Sequence, residues 1–298
     1  MSGRILCIGE CMVELAPASD GLFRQGFAGD TFNMAWYLRR LLPADWQVDY
    51  RTALGDDPMS TAMLAFMQSA GVGTGHIAIR AGMTPGLYLI SVRNGERSFS
   101  YWRGQSAART LAQEEGELNR AIAGAGVVVF SGITLAILAE ADRERLLRAL
   151  AAARQAGCQI VFDPNLRPRL WAGNDAMRAG ITEAACVADI VLPSFEDEHA
   201  AFGDASPEVT AERYRRLGAT EVVVKNGADE IHWITRAGRG KWKPPPAKKI
   251  VDTTAAGDSF NAAFLAARLS GADPGAAIVQ AAGVAAQVIE VHGALVPL

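Results

Sequence analysis

Short runs rich in β-branched and apolar residues alternate along this chain with longer Ala- and Leu-rich stretches, and that alternation narrows the possible folds more than any other feature. The β-rich runs lie at 5–9, 48–53, 127–131, 160–163, 190–193 and 222–225; helical spacing is read at 31–42, 58–70, 140–155, 176–187 and 207–217. Strand-helix-strand alternation predicts βαβ units on a mostly parallel sheet. The chain has 298 residues, half of them hydrophobic, which suffices for one large α/β domain with a sizeable core. No internal repeat or low-complexity linker divides it, and Pro244-Pro245-Pro246 is read as a local turn. A single domain over 1–298 is expected.

Several of these strands end in polar residues: Gly55-Asp56-Asp57, Asp163-Pro164-Asn165-Leu166-Arg167, Ser194-Phe195-Glu196 and Lys225-Asn226-Gly227. Ligands of open α/β sheets bind outside the carboxyl ends of the strands, so these residues gather where a site belongs. The string V-D-T-T-A-A-G-D-S-F at 251–260 joins a short apolar run to a helical pattern in which Phe260, Ala263, Phe264 and Ala267 share a face. Its small residues let a backbone approach a ligand closely, and the first amides of the helix have no partner inside it. Such a helix start attracts phosphate. Asp258 adds a carboxylate in the first turn. Amides that hold a moving phosphoryl group, beside a carboxylate that takes the proton of an attacking hydroxyl, suit phosphoryl transfer.

A hairpin is expected at 87–92 and 97–103, because Asn94-Gly95 between β-like runs favours a two-residue turn. With Arg93 opposite Glu96, Tyr88 falls opposite Tyr101, and Arg103 shares their face. That face suits a polyol bearing a carboxylate. Leu87, Leu89, Ser100 and Trp102 fall on the other face, which would need cover.

Other classes leave no trace. There is no G-x-x-x-x-G-K-[ST] and no G-x-G-x-x-G after a strand, and Gly71-Val72-Gly73-Thr74-Gly75 follows a helix as a turn. His76, His199, His232 and His292 are scattered, so no zinc site is indicated. A net charge of −3 without a basic tail argues against nucleic acid, and no apolar run reaches about 18 residues. Cys7, Cys11, Cys158 and Cys186 are read as reduced, buried thiols. With a strand-like run starting at Ile5 and no leader pattern before it, a cytoplasmic protein is expected.

The 251–260 string resembles the C-terminal signature D-T-x-G-A-G-D-x-F of the ribokinase-like (PfkB) sugar kinases. Ala255 stands where most members have Gly, a variant that points to the family's 2-keto-3-deoxygluconate branch; backbone amides are the donors there, so Ala is compatible if its φ is negative. Gly29-Asp30-Thr31-Phe32-Asn33-Met34-Ala35 is similar to the family's G-G-x-x-x-N-x-A element, and Asp30 also suits a helix N-cap. Asp163-Pro164-Asn165-x-Arg167 followed by Leu170-Trp171, Ser194-x-Glu196-x-Glu198 and Val222-Val223-Val224-Lys225-Asn226-Gly227 resemble further family elements in the family's order.

The resemblance implies a ribokinase-like three-layer sandwich with a mostly parallel central sheet and a small β-sheet lid from about 10–28 and 80–105. It implies ATP-dependent phosphorylation of 2-keto-3-deoxygluconate at its C6 hydroxyl. Asp258 would be the base, and the amides of Ala255, Ala256 and Gly257 would hold the developing charge. Gly29, Asp30, Asn33, Tyr88, Tyr101, Arg103 and Arg167 would meet the sugar acid. Asn165, Arg167, Ser194, Lys225, Gly227, Ala255, Gly257 and Gly283 would line ATP. Glu196 would act through water on Mg²⁺, a monovalent cation is placed near Asp252, and a dimer through the lid is implied. A neutral ketose as substrate (a fructokinase), a non-catalytic sensor, and a nucleoside kinase using Tyr88 and Tyr101 as a base platform stand as alternatives.

Overall fold

In the computed structural model, which describes residues 3–93 and 96–298, alternate side chains of the central strands enter two different cores. Ile5 and Cys7 of β1 (Arg4–Ile8), Val127 and Val129 of β9 (Val127–Ser131), and Val161 of β10 (Gln159–Asp163) point into one. Leu6, Ile8, Val128, Phe130, Ile160 and Phe162 point into the other. A strand buried on both faces reads as a continuous apolar run, which is why these segments stood out in the sequence. With β4 (Gln47–Arg51), β11 (Ile190–Val191), β12 (Glu221–Val224), β13 (Ile231–Thr235) and β14 (Arg239–Trp242) they form an eight-stranded sheet ordered β14-β13-β12-β11-β10-β9-β1-β4. The strands from β4 to β12 pair in parallel, whereas β13 and β14 extend the edge antiparallel. The expected run at 48–53 divides: β4 stops at Arg51, and Ala53–Leu54 (β5) pairs instead with Ala78–Ile79 (β6).

Helices cover both faces. The first core takes α1 (Asp30–Leu41), α2 (Pro58–Ser69), α9 (Ala256–Leu269) and α10 (Pro274–Ile289). The second takes α3 (Glu115–Ile122), α4 (Gly132–Ile137), α5 (Glu140–Gln155), α6 (Asn174–Val187), α7 (Phe195–Phe202) and α8 (Pro207–Arg216). The five helices expected between strands are α1, α2, α5, α6 and α8; α3, α4 and α7 are too short for periodicity to reveal. The one-faced pattern read for α9 needs correction: every residue from 259 to 267 is buried, because α1 and α10 enclose the helix. A helix enclosed on all sides carries apolar residues all round, so Ser259 and the larger amide of Asn261 are the polar exceptions within it.

A second sheet stands apart, ordered β3-β2-β7-β8 and built from β2 (Met12–Pro17), β3 (Phe23–Ala28), β7 (Leu87–Arg93) and β8 (Glu96–Trp102). The β7–β8 register sets Arg93 opposite Glu96 and Tyr88 opposite Tyr101, as the hairpin arithmetic required; the Asn94-Gly95 turn itself lies outside the described residues. The face expected to lie open is partly covered: Leu87 packs against the main core beside Leu15, while Trp102, directly across the hairpin from it, is exposed.

Among the described residues no helix is long and apolar enough to cross a membrane. Cys7, Cys11 and Cys158 are buried free thiols, but Cys186 is exposed, contrary to expectation. On α6 the buried stripe is Met177, Gly180, Ile181, Ala184 and Ala185, and position 186 falls beside it. A maleimide probe on the folded protein should therefore label Cys186 alone, with the other three reacting only in denaturant; stoichiometry above one in native buffer would contradict this packing.

Candidate active site

The carboxyl ends of β1, β9, β10 and β12 and the amino ends of α1, α7 and α9 meet at one edge of the main sheet. Close backbone approach begins there. A Cβ on Gly29 would lie 2.1 Å from the carbonyl oxygen of Glu10, so only glycine lets α1 start against the end of β1. Gly29, not Asp30, is the N-cap of α1, which corrects the capping expectation. Asp30 instead opens the helix, accepting from the Thr31 amide at 2.8 Å and from Asn165 Nδ2 at 2.9 Å.

Asp258 sits in the first turn of α9, where Asn33 Nδ2 donates to its Oδ2 at 2.7 Å. Asp30, Asp163, Asp258 and Asn261 line one small cavity with Thr31 and Ser131. Each of the three carboxylates is met by one asparagine: Asn165 on Asp30, Asn33 on Asp258, and Asn261 Nδ2 on Asp163 at 2.9 Å. Lys225 Nζ stands 3.5 Å from Asp163 and donates to Asn261 Oδ1 at 2.9 Å. Burial, and then the charge of Asp30, push the Asp258 carboxyl up to about 7, with the Asn33 hydrogen bond opposing. Burial also raises Asp163, against the pull of Lys225.

The turn before α9 departs from expectation in two ways. Ala255 has φ +59°, in the left-handed region rather than at negative φ, and its methyl packs with Tyr88, Met12, Ala28, Ile90 and Ala294 at the foot of the small sheet. The Ala256 amide closes the turn onto the Thr253 carbonyl at 3.2 Å, so it is already engaged; the helix ladder starts with Ser259 donating to Ala255 at 2.9 Å, which leaves the Gly257 and Asp258 amides ahead of its first rung. Asn165 is the other described non-glycine residue with positive φ, at +34°. Both belong to this edge, as local strain at functional sites often does.

On the small sheet Tyr88, Tyr101 and Arg103 come together as expected, with the two rings 6.0 Å apart and the Arg103 guanidinium carbon 6.0 Å from the Tyr101 ring. Two carboxylates that the sequence reading missed join them. Arg103 Nη2 and the Ser106 hydroxyl both donate to the buried Glu10, and the Tyr88 hydroxyl donates to Glu14, which pairs with Tyr88 across β2 and β7. Arg103 Nε is buried with no partner. The strand register could have found Glu14; nothing local in the sequence marks Glu10.

The remaining predicted residues sit further out. Ser194 caps α7 by position without a side-chain bond and bridges to Lys225 in the strand edge, Gly227 follows with φ +56°, and Glu196 is exposed in the first turn of α7. Arg167 is half-exposed, donating to the Leu166 carbonyl at 2.7 Å and lying 3.7 Å from Asp197. Gly283 is exposed midway along α10. Asp252 is buried, and its two oxygens accept from the amides of Thr254 at 3.0 Å and Gly293 at 2.7 Å.

A ribokinase-like fold, with a carboxylate of raised proton affinity at a helix start whose first amides precede its ladder, is that of a carbohydrate kinase. The chain belongs to the pfkB family of carbohydrate kinases, which it matches over residues 2–298. It is 39% identical over 302 residues to the 2-dehydro-3-deoxygluconokinase of Dickeya dadantii (strain 3937), covering 99% of this chain and 97% of that one. Among solved structures it resembles a PfkB protein from Polaromonas sp. JS666, with a TM-score of 0.84, 30% identity, and 97% and 96% of the two chains covered. It also resembles a fructokinase with bound ATP from Xylella fastidiosa, with a TM-score of 0.84, 24% identity, and 98% and 93% covered; that likeness concerns the fold.

Left-handed backbone costs a residue with a Cβ roughly 1–2 kcal/mol, partly offset by the smaller unfolded-state entropy of Ala relative to Gly. Ala255→Gly is therefore expected to raise thermal stability by about 0.5–1 kcal/mol, a midpoint shift of about 1–3 °C. A calorimetric midpoint that stays put or falls would show that the methyl contacts outweigh the strain.

Proposed function

We propose that this protein transfers the γ-phosphoryl group of MgATP to the C6 hydroxyl of 2-keto-3-deoxygluconate, giving 2-keto-3-deoxy-6-phosphogluconate and ADP. The observation that carries the reading is the Asp258 carboxylate, held half-buried at an anion-attracting helix start with a proton affinity near neutrality. In the reaction Asp258 takes the proton of the C6 hydroxyl. The freed oxygen forms a bond to the γ-phosphorus, and the bond from that phosphorus to the bridging oxygen breaks, leaving the electron pair on ADP. The amides of Gly257 and Asp258, with Ala255 shaping the turn and Lys225 beside it, meet the charge on the moving group. The identity to the Dickeya dadantii enzyme supports the substrate assignment.

ATP would lie along Asn165, Ser194, Lys225, Gly227 and the start of α9, with its base toward Gly283. Among the described residues no three His, Cys, Asp or Glu side chains are grouped to hold a metal ion. Mg²⁺ would arrive on phosphate oxygens and keep its waters, with Glu196 reached through one of them. A monovalent cation beside Asp252 would share that carboxylate with the Thr254 and Gly293 amides. The sugar acid would be held by Gly29, Asp30 and Asn33 on α1, by Tyr88 and Tyr101, and by Arg103 and Arg167 at its carboxylate. A buried N–H without a partner is unfavourable, so the Arg103 Nε donor gains most from an incoming carboxylate. The small sheet would act as a lid that excludes water from ATP. Its exposed Trp102, on the face away from the tyrosines, supports pairing of two lids in a dimer. The chemistry and the free buried thiols suit the cytoplasm.

A neutral ketose is the second reading, favoured by one observation: Glu10 already neutralises Arg103. Arg103→Met decides between them. Its Michaelis constant for the sugar acid should rise about tenfold or more if that guanidinium binds the carboxylate; an unchanged constant, or preferential turnover of fructose, removes the sugar-acid assignment.

Asp258→Asn should lower kcat about 10²–10⁴-fold. In the wild type only the ionised base is active, so kcat/KM should fall tenfold per pH unit below about 7 and level off above it. Full activity of Asp258→Asn, or a profile flat down to pH 5, would dismiss Asp258 as the base.

A further inference from the structure

We propose that Asn261 is a positioning residue for phosphoryl transfer, holding the Lys225 ammonium at the turn that opens α9 by standing between that ammonium and Asp163. The inference rests on the kinase reading above and concerns a residue outside every family element described in the sequence.

The geometry is that of a wedge. Asn261 follows Asp258 by three positions, so the two side chains leave the same face of α9. Its Oδ1 accepts from Lys225 Nζ at 2.9 Å, and its Nδ2 donates to Asp163 Oδ2 at 2.9 Å. Lys225 stands 3.5 Å from the other oxygen of Asp163, longer than a charge-assisted hydrogen bond. A Cβ on Gly257 would lie 3.7 Å from Nζ, which places the ammonium against the same turn whose amides precede the helix ladder.

An amide makes both bonds at once, since its nitrogen is a donor to the carboxylate and its oxygen an acceptor for the ammonium. Remove it, and Lys225 is drawn onto Asp163, away from the turn and from any phosphate there. Burial supports a purpose for this side chain. Asn261 is 1% exposed, flanked by buried Phe260, Ala262, Ala263 and Phe264, on a helix otherwise suited to apolar residues. The charged groups facing this arrangement are Asp30, Asp163 and Asp258, with Lys225 and, further out, Arg167 and Asp197.

Three variants test it in steady-state kinetics with 2-keto-3-deoxygluconate and MgATP. Asn261→Leu, close in volume but without hydrogen bonds, is expected to raise KM for ATP about tenfold and lower kcat about tenfold, with KM for the sugar acid within about twofold. In a Lys225→Met background the same substitution should add less than about twofold, because its effect passes through the lysine. Asn261→Asp keeps the acceptor for Lys225 but sets a second carboxylate beside Asp163, so the acid limb of kcat/KM should move to higher pH by about half a unit or more. This variant carries the test if Asn261→Leu does not fold. Unchanged kinetics in Asn261→Leu, effects that multiply fully with Lys225→Met, or an unmoved acid limb in Asn261→Asp would each overturn the proposal. A wild type that turns over no sugar would instead overturn the kinase reading itself.

Discussion

The start of α9 attracts anions, yet it lies among three carboxylates that repel them, and much of the surrounding structure manages that conflict. The unpaired amides and the helix dipole favour phosphate oxygens. Asp30, Asp163 and Asp258 converge on the same small cavity with Lys225 as the neighbouring cation. Three asparagines from different elements hold the carboxylates apart by donating one hydrogen bond to each. Burial first, and then the repulsion that remains, raise the proton affinity of Asp258. A base poised near neutrality is thus a product of desolvation and, after it, of crowding, both of which the fold enforces by burying the strand ends against α1 and α9.

Close backbone approach is the second constraint. Gly29 admits the end of β1, and Gly132 does the same for the start of α4, where a Cβ would meet the Pro164 carbonyl at 1.9 Å. Ala255 shows what happens without a glycine. It keeps the left-handed turn, and its methyl is taken up at the foot of the small sheet beside Tyr88. The loop that would hold phosphate and the sheet that would cover the sugar therefore share one apolar contact, so a shift in either is felt by the other.

The small sheet also shows how one buried ion pair alters a functional reading. Arg103 was legible as a cation on the tyrosine face, because hairpin register follows from two turn residues and a period of two. Its pairing with Glu10 was not legible, since the two lie far apart in sequence and Glu10 follows a strand with no pattern of its own. The same holds for Asn261. Its neighbours read as one apolar stripe, which would leave Asn261 near solvent, and only the enclosure of α9 by α1 and α10 reveals a buried amide.

Local information was enough for the six parallel strands, five of the crossover helices, the hairpin register and the small-residue turn before Asp258, because each follows from periodicity or from residue types a few positions apart. Tertiary structure alone decided that Asp258, Asp30 and Asp163 share one cavity, that Lys225 stands behind an asparagine wedge, and that Ala255 bends left-handed. Those facts depend on desolvation and on contacts between segments 36 to 225 residues apart, and neither spacing nor composition encodes such distances.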